Sequence, residues 1–312
     1  EGVNGFLLAA PAPGAGTDLR AASNPWLRRP VFMTDTPKVP SYTLPDSFDD
    51  ASRACAAALV SALRRGLTKI RVDFDTSAGD ITYTSLRNSM PVARALTELL
   101  SAELCGSAVP SIPLEVPESA AEAKPEAAGP SKVLQVLMPD EGTAALAARE
   151  WAPPPTVKCS CLARFKLPEE AVACLVVAPT ALDTTALDAL IKSEGVVSSG
   201  VPIIVLNPQL IDLGTGALGL EGRALVKRLA LEFADVYVLR TLQGAALTRV
   251  YPENYAVWQE DPSAEGGFRF VRDDPRRPSD FEIFEELAGD DDQSGLGFIK
   301  EISSFIKGLQ RL

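Results

Sequence analysis

Histidine is missing from all 312 residues. That removes Ser-His-Asp and Cys-His nucleophile systems, histidine general bases and histidine metal ligands together. Positive charge is also scarce: 30 Lys and Arg face 41 Asp and Glu, for a net charge of −11. A domain that grips phosphate needs a basic face, so this balance argues against nucleic-acid binding. It equally disfavours simple adsorption to an anionic membrane. No apolar run approaches the roughly 18 residues needed to span a bilayer. The five cysteines (Cys55, Cys105, Cys159, Cys161, Cys174) are scattered and form no secreted-type framework, so a reducing compartment is expected. Walker-type Gly-Lys-Ser/Thr is missing, and we find no internal repeat. The chain begins at Glu1 rather than Met, which leads us to expect that a tag or targeting peptide has been lost.

What is present is apolar and layered. Hydrophobic residues are 46% of the chain, enough for a sizeable core over most of its length. Residues 201–208 (Val-Pro-Ile-Ile-Val-Leu-Asn-Pro) set a short β-branched run between breakers, the pattern of a strand buried on both faces. A similar run at 173–179 precedes it, with helical spacing over Leu187, Leu190 and Ile191 between them. Strand, helix, strand at that distance predicts a parallel pair with a crossover. Further strands are predicted at 69–74, 133–138, 157–165 and 236–239. Helices are predicted from Ser47 to Gly66, from Ser89 and Pro91 through Leu104, from Asp140 to Trp151, and over 220–234. Residues 246–251, 255–260 and 267–272 are separated by turn residues, and the last alternates Phe268, Arg269 and Phe270, so they read as an antiparallel meander with one face wet.

The expected fold is therefore α/β: a three-layer, Rossmann-like, mostly parallel sheet with an antiparallel C-terminal meander. Residues 1–46 read as an extended proline-rich arm and 47–288 as one α/β domain. Residues 107–131 are a Pro/Ala-rich insert, and 289–312 hold an acidic break and an amphipathic helix.

Candidate sites fall into two sets. Trp26, Arg28, Arg29 and Phe32 interleave aromatics with arginines in the arm, residue types enriched where interfaces carry their energy; they either dock a partner or lie on their own domain. Phe298, Ile302 and Phe305 line the apolar side of the last helix, which either closes the core or meets a partner or membrane surface. The second set is a possible ligand pocket beyond the carboxyl ends of the strands, where open parallel sheets bind ligands. Asp140, Thr143, Thr180, Asn207 and Gln209 are predicted there, each with an alternative role as a helix cap or turn former. Gly214, Gly216 and Gly219 match the dinucleotide fingerprint letter for letter, but they lie seven residues beyond Asn207 and not directly off the first strand. Cys159 and Cys161 lack the partners a metal site needs, so no metal and no cofactor is expected. No acid–base pair can be singled out among the carboxylates.

An ordered set of segments then resembles a known family. It comprises Ser47-Phe48-Asp49-Asp50-Ala51, residues 66–74 (Gly-Leu-Thr-Lys-Ile-Arg-Val-Asp-Phe), Leu137-Met138-Pro139-Asp140 with Ala148-Arg149-Glu150-Trp151, and Val176-Val177-Ala178-Pro179. Residues 203–210 and 233–239 follow, and then 244–252 (Gly-Ala-Ala-Leu-Thr-Arg-Val-Tyr-Pro). Over about residues 45–290 the chain resembles a domain family of unknown function from cyanobacteria and plastids. That family includes the low photosystem II accumulation type of assembly factor and a copy fused to a plastid adenylate kinase. Relatives commonly read Tyr-Pro-Gly-Pro-Trp where this chain has Tyr251-Pro252-Glu253-Asn254-Tyr255, with Trp258 displaced.

The resemblance implies a nuclear-encoded plastid protein, in the stroma or on the stromal face of the thylakoid, tied to photosystem biogenesis. It transfers no catalytic signature. The resulting expectation is a non-catalytic protein that binds photosystem membrane proteins or the antenna complex, as an assembly factor or a peripheral or linker subunit. Membrane association would be peripheral, through those partners or the C-terminal helix. The alternative is a nucleotide-binding enzyme or sensor using the Gly214–Gly219 loop.

Overall fold

The computed structural model describes residues 39–75, 85–106, 132–210 and 219–288. The insert at 107–131, the C-terminal helix expected within 296–312, and the contact candidates Trp26, Arg28, Arg29, Phe32, Phe298, Ile302 and Phe305 lie outside the described residues.

Among the described residues, nine strands form one sheet. In chain order they are β1 (Lys69–Asp75), β2 (Val133–Met138), β3 (Val157–Cys161), β4 (Ala171–Val177), β5 (Ile203–Leu206), β6 (Ala234–Leu242), β7 (Ala245–Val250), β8 (Tyr255–Glu260) and β9 (Phe268–Asp274). Their spatial order is β3-β2-β4-β5-β1-β6-β7-β8-β9. The six strands from β3 to β6 run parallel, and β6 to β9 form the antiparallel meander. The fold is the mixed α/β class expected from the sequence. β5 sits between β4 and β1, and all four of its residues are buried, as its unbroken apolar run requires.

Helices cover both faces of the parallel part. α1 (Phe48–Arg64), α2 (Ser85–Cys105) and α3 (Glu141–Trp151) share a core with Ile70, Val72, Leu175 and Leu206 on one face. α4 (Thr184–Ile191), α5 (Glu194–Val197) and α6 (Gly219–Glu232) share a second core with Val176, Ile203 and Val205 on the other. α1 begins where the sequence indicates: Ser47 is the N-cap, its hydroxyl accepting from the Asp50 N–H at 3.1 Å. Gly66 ends it with a φ of +84°, a conformation glycine adopts without steric penalty.

Three expectations are corrected. Ser89 and Pro91 do not start α2, which begins at Ser85 and carries Pro91 in its interior. Pro91 is exposed and forfeits one backbone bond, while Ser89 is fully buried and its hydroxyl accepts from Asn207 Nδ2. The meander also has no wet face along β7 and β8, where the first four residues of each strand are buried. α7 (Asp280–Ala288) sets Ile283 on Val238, Leu247 and Val257 from one side. From the other side, Leu44 lies against Ala246 and Trp258. The segment holding Leu44 was expected to be part of an extended arm and not a packed element. Ser41 instead donates twice to the Glu253 carboxylate, once from its N–H at 3.0 Å and once from its hydroxyl, and Tyr42 Oη meets Thr248 Oγ1 at 3.3 Å.

Candidate functional site

The carboxyl ends of the parallel strands form one edge of the sheet, and its two halves differ. Over β2, β4 and β5 the polar residues predicted to form a pocket are present but committed. Asp140 caps α3, one carboxylate oxygen accepting from the Thr143 N–H at 2.8 Å and the other from its hydroxyl at 2.7 Å. Those bonds hold its pKa below the ordinary carboxylate value. Thr180 forms a capping box with Asp183 ahead of α4 and pairs with Gln209 as an isolated parallel bridge. Asn207 is 5% exposed and has a φ of +47°, which asparagine tolerates better than most residues. Its Nδ2 donates to the Phe74 carbonyl and to Ser89 Oγ, both at 2.8 Å, while Oδ1 accepts from the Phe74 N–H at 2.6 Å. Asn207 thus stitches the exits of β5 and β1 to α2 where a ligand crevice would open. Gly219 opens α6 with a φ of +55°; Gly214 and Gly216 lie outside the described residues.

Over β1, β6, β7 and β8 the same edge is open. A groove of about 690 Å³ lies there, within the size range of small-ligand and peptide-anchor pockets. Phe48 and Phe74 form one wall, edge to face with ring centroids 5.9 Å apart, and Trp258 and Phe268 line the groove with them. Trp258 is fixed by its indole N–H, which donates to Thr248 Oγ1 at 2.8 Å, and by a T-shaped contact with Phe270 at 5.5 Å. Residues 43–47 close one side, and Asp46 is the sole charged side chain among the described residues lining the groove. Phe48, the first residue of α1, stays 44% exposed despite its size. Apolar walls with a few hydroxyls provide affinity and shape, the features of a binding groove.

Behind this half of the sheet, on the face covered by α7, lies a partly buried ionic network that the sequence did not reveal. Asp235, 4% exposed, takes Arg71 bidentately, with Nη2 at 2.7 Å, and accepts from Tyr255 Oη at 2.6 Å and from Arg277 Nη1 at 3.4 Å. Arg277 also pairs with Asp73, and Arg240 holds Asp280 at the start of α7 through bonds of 3.0 and 3.2 Å. Burial alone raises the Asp235 pKa, but the Arg71 bonds and charge, with Tyr255 and Arg277, outweigh burial and hold it low. Burial and the neighbouring Asp235 charge push Tyr255 up to about 12. With three cations facing three carboxylates, the network is balanced and reads as a fastening for α7. Among the described residues, no group of three or more Cys, Asp or Glu could hold a metal ion, and no helix is long and apolar enough to cross a membrane.

The groove walls, the Asn207 stitch and the ionic network all lie within one recognisable unit. A family model described as Domain of unknown function (DUF1995) matches residues 45–285. The chain belongs to the DUF1995 family. No curated protein and no solved structure matches the chain. The DUF1995 match runs from just before α1 into α7, so the groove-lining residues from Pro45 to Phe268 belong to the family domain, while Thr43 and Leu44 precede it. The DUF1995 description assigns no catalysis. Sequence reasoning missed the groove because its walls come from positions more than 200 residues apart, and Phe48 and Phe74 read as ordinary core. The one local signal was Trp258, an aromatic on a strand that was expected to have a wet face.

Proposed function

We propose that this protein is a non-catalytic plastid protein that binds photosystem proteins at the thylakoid, as an assembly factor or a peripheral or linker subunit. Its place is the stroma or the stromal face of the membrane, and its partners are photosystem membrane proteins or the antenna complex. The observation that carries the reading is the open aromatic groove at the carboxyl edge of the sheet, where apolar surface is exposed and no acid–base pair accompanies it. Membership of DUF1995 supports it, and so does the ordered resemblance to plastid assembly factors. The segments around Trp26–Phe32 and around Phe298, Ile302 and Phe305, which lie outside the described residues, remain candidate contacts.

Affinity purification of the full chain from intact plastids tests the reading. It expects co-purification with thylakoid complexes; an intact protein recovered only free in the stroma contradicts it. Deleting 296–312 is expected to lower membrane recovery without lowering the melting temperature. Calorimetry with ATP, AMP, NAD and NADP separates this reading from a nucleotide sensor, with no micromolar binding expected.

A further inference from the structure

We infer that the groove between Phe48 and Trp258 is the seat for a basic, apolar loop peptide of a membrane-protein partner. This rests on the function proposed above and names the partner segment. The walls are aromatic: Phe48 is exposed and Phe268 half-buried, over a floor to which the buried Phe74 and Trp258 contribute, and the space admits a few side chains but no folded element. Carboxylates stand at the mouth: Asp46 lines it, and Asp49 lies in the adjoining first turn of α1, both exposed. Among the described residues, no Lys or Arg lines the groove to neutralise them.

An occupant therefore offers apolar side chains to the rings and positive charge to the mouth, where Lys or Arg also gains from lying over an aromatic face. An anionic lipid headgroup or a fatty acid is the wrong sign. Membrane proteins display this chemistry on one side, because their short loops on the insertion side are enriched in Lys and Arg next to apolar segments. The overall charge of −11 draws the protein toward such loops and away from the anionic lipid surface around them.

The test uses the full chain and synthetic 15-residue peptides tiling the stromal loops of photosystem and antenna membrane proteins, read by fluorescence anisotropy. Binding is expected to concentrate in peptides that pair Lys or Arg with Phe, Leu or Trp. Such peptides should weaken about tenfold against Phe48→Ala, the loss typical of an interface anchor. They should weaken about threefold against Asp46→Asn combined with Asp49→Asn, with a flatter salt dependence. The two carboxylates are exposed, so their removal preserves the fold and decides the matter if Phe48→Ala lowers stability. Binding peptides that are acidic or neutral, or that bind both variants as tightly as the parent, overturn the inference. If the chain still co-purifies with thylakoid complexes in that case, adhesion lies elsewhere and the proposed function stands. If it does not co-purify at all, that function falls and this inference falls with it.

Discussion

The two halves of this sheet solve the same problem differently. On the β2-β4-β5 side both faces are covered by helices and the polar groups at the carboxyl edge are spent locally: Asp140 and Thr180 on caps, Asn207 on Phe74 and Ser89. On the β6–β9 side one face is fastened by charges and the other, where a strap and the start of α1 replace a full helical layer, leaves an aromatic groove. Function in parallel α/β sheets usually sits where crossovers diverge at the carboxyl ends. Here Asn207 fills that place, and the open surface has moved to the junction with the meander.

The comparison is broken most severely at Asp235. Asp235→Ala leaves Arg71 and Arg277 without their shared partner in a half-buried site, and a loss of about 3 kcal/mol in urea unfolding is expected. Asn207→Ala on the other half removes three hydrogen bonds, two to the buried Phe74 backbone and one to Ser89. About 2 kcal/mol is expected there. Both losses are measured by the same unfolding experiment, and the Asp235 loss alone should change with salt.

Acid sharpens the same contrast. The folded Asp235 pKa lies below its unfolded value of about 3.9, so its contribution is complete above that pH and fades as pH falls through the lower, folded value. Glu282, held at about 2 by the Ser279 N–H and then by Arg276, behaves the same way between about 4.3 and 2 at the start of α7. Acid should therefore loosen α7 and the meander before the β4-β5-β1 centre, seen as early loss of hydrogen-exchange protection at Ile283. If the central strands exchange first, the assignment is wrong.

How much of this was legible in the sequence follows from the same division. β5 announced itself because four consecutive apolar residues between prolines have few other destinations, and α1 because Ser47 and Gly66 mark its ends. The meander strands were legible as strands, but alternation reports only which residues share a face, not what covers that face. The coverings come from distant segments: Leu44 on one side, Ile283 on the other. Nothing local to Arg71 and Asp73 on β1 tells that Asp235 and Arg277 wait more than 150 residues away. Pro91 misled for the opposite reason: a proline is a strong local signal, yet a solvent-facing position in α2 tolerates it.

Smaller effects refine the contrast. Ser279→Ala removes the cap of α7 and is expected to lower stability by about 1 kcal/mol, again by urea unfolding. Cys55 and Cys174 are fully buried in the helix-covered part, and burial raises both thiols, Cys174 to about 12. They should resist a thiol reagent until the protein unfolds.

The most direct measurement places a photo-crosslinking amino acid at Phe48 in the groove and, separately, at Leu182, which is 86% exposed on the closed half. The full-length variants are then irradiated with isolated thylakoids. Adducts are expected from position 48 at a Lys- or Arg-bearing stromal loop of a photosystem or antenna protein, and few from position 182. Adducts to such proteins from position 182 and none from position 48 would contradict that expectation.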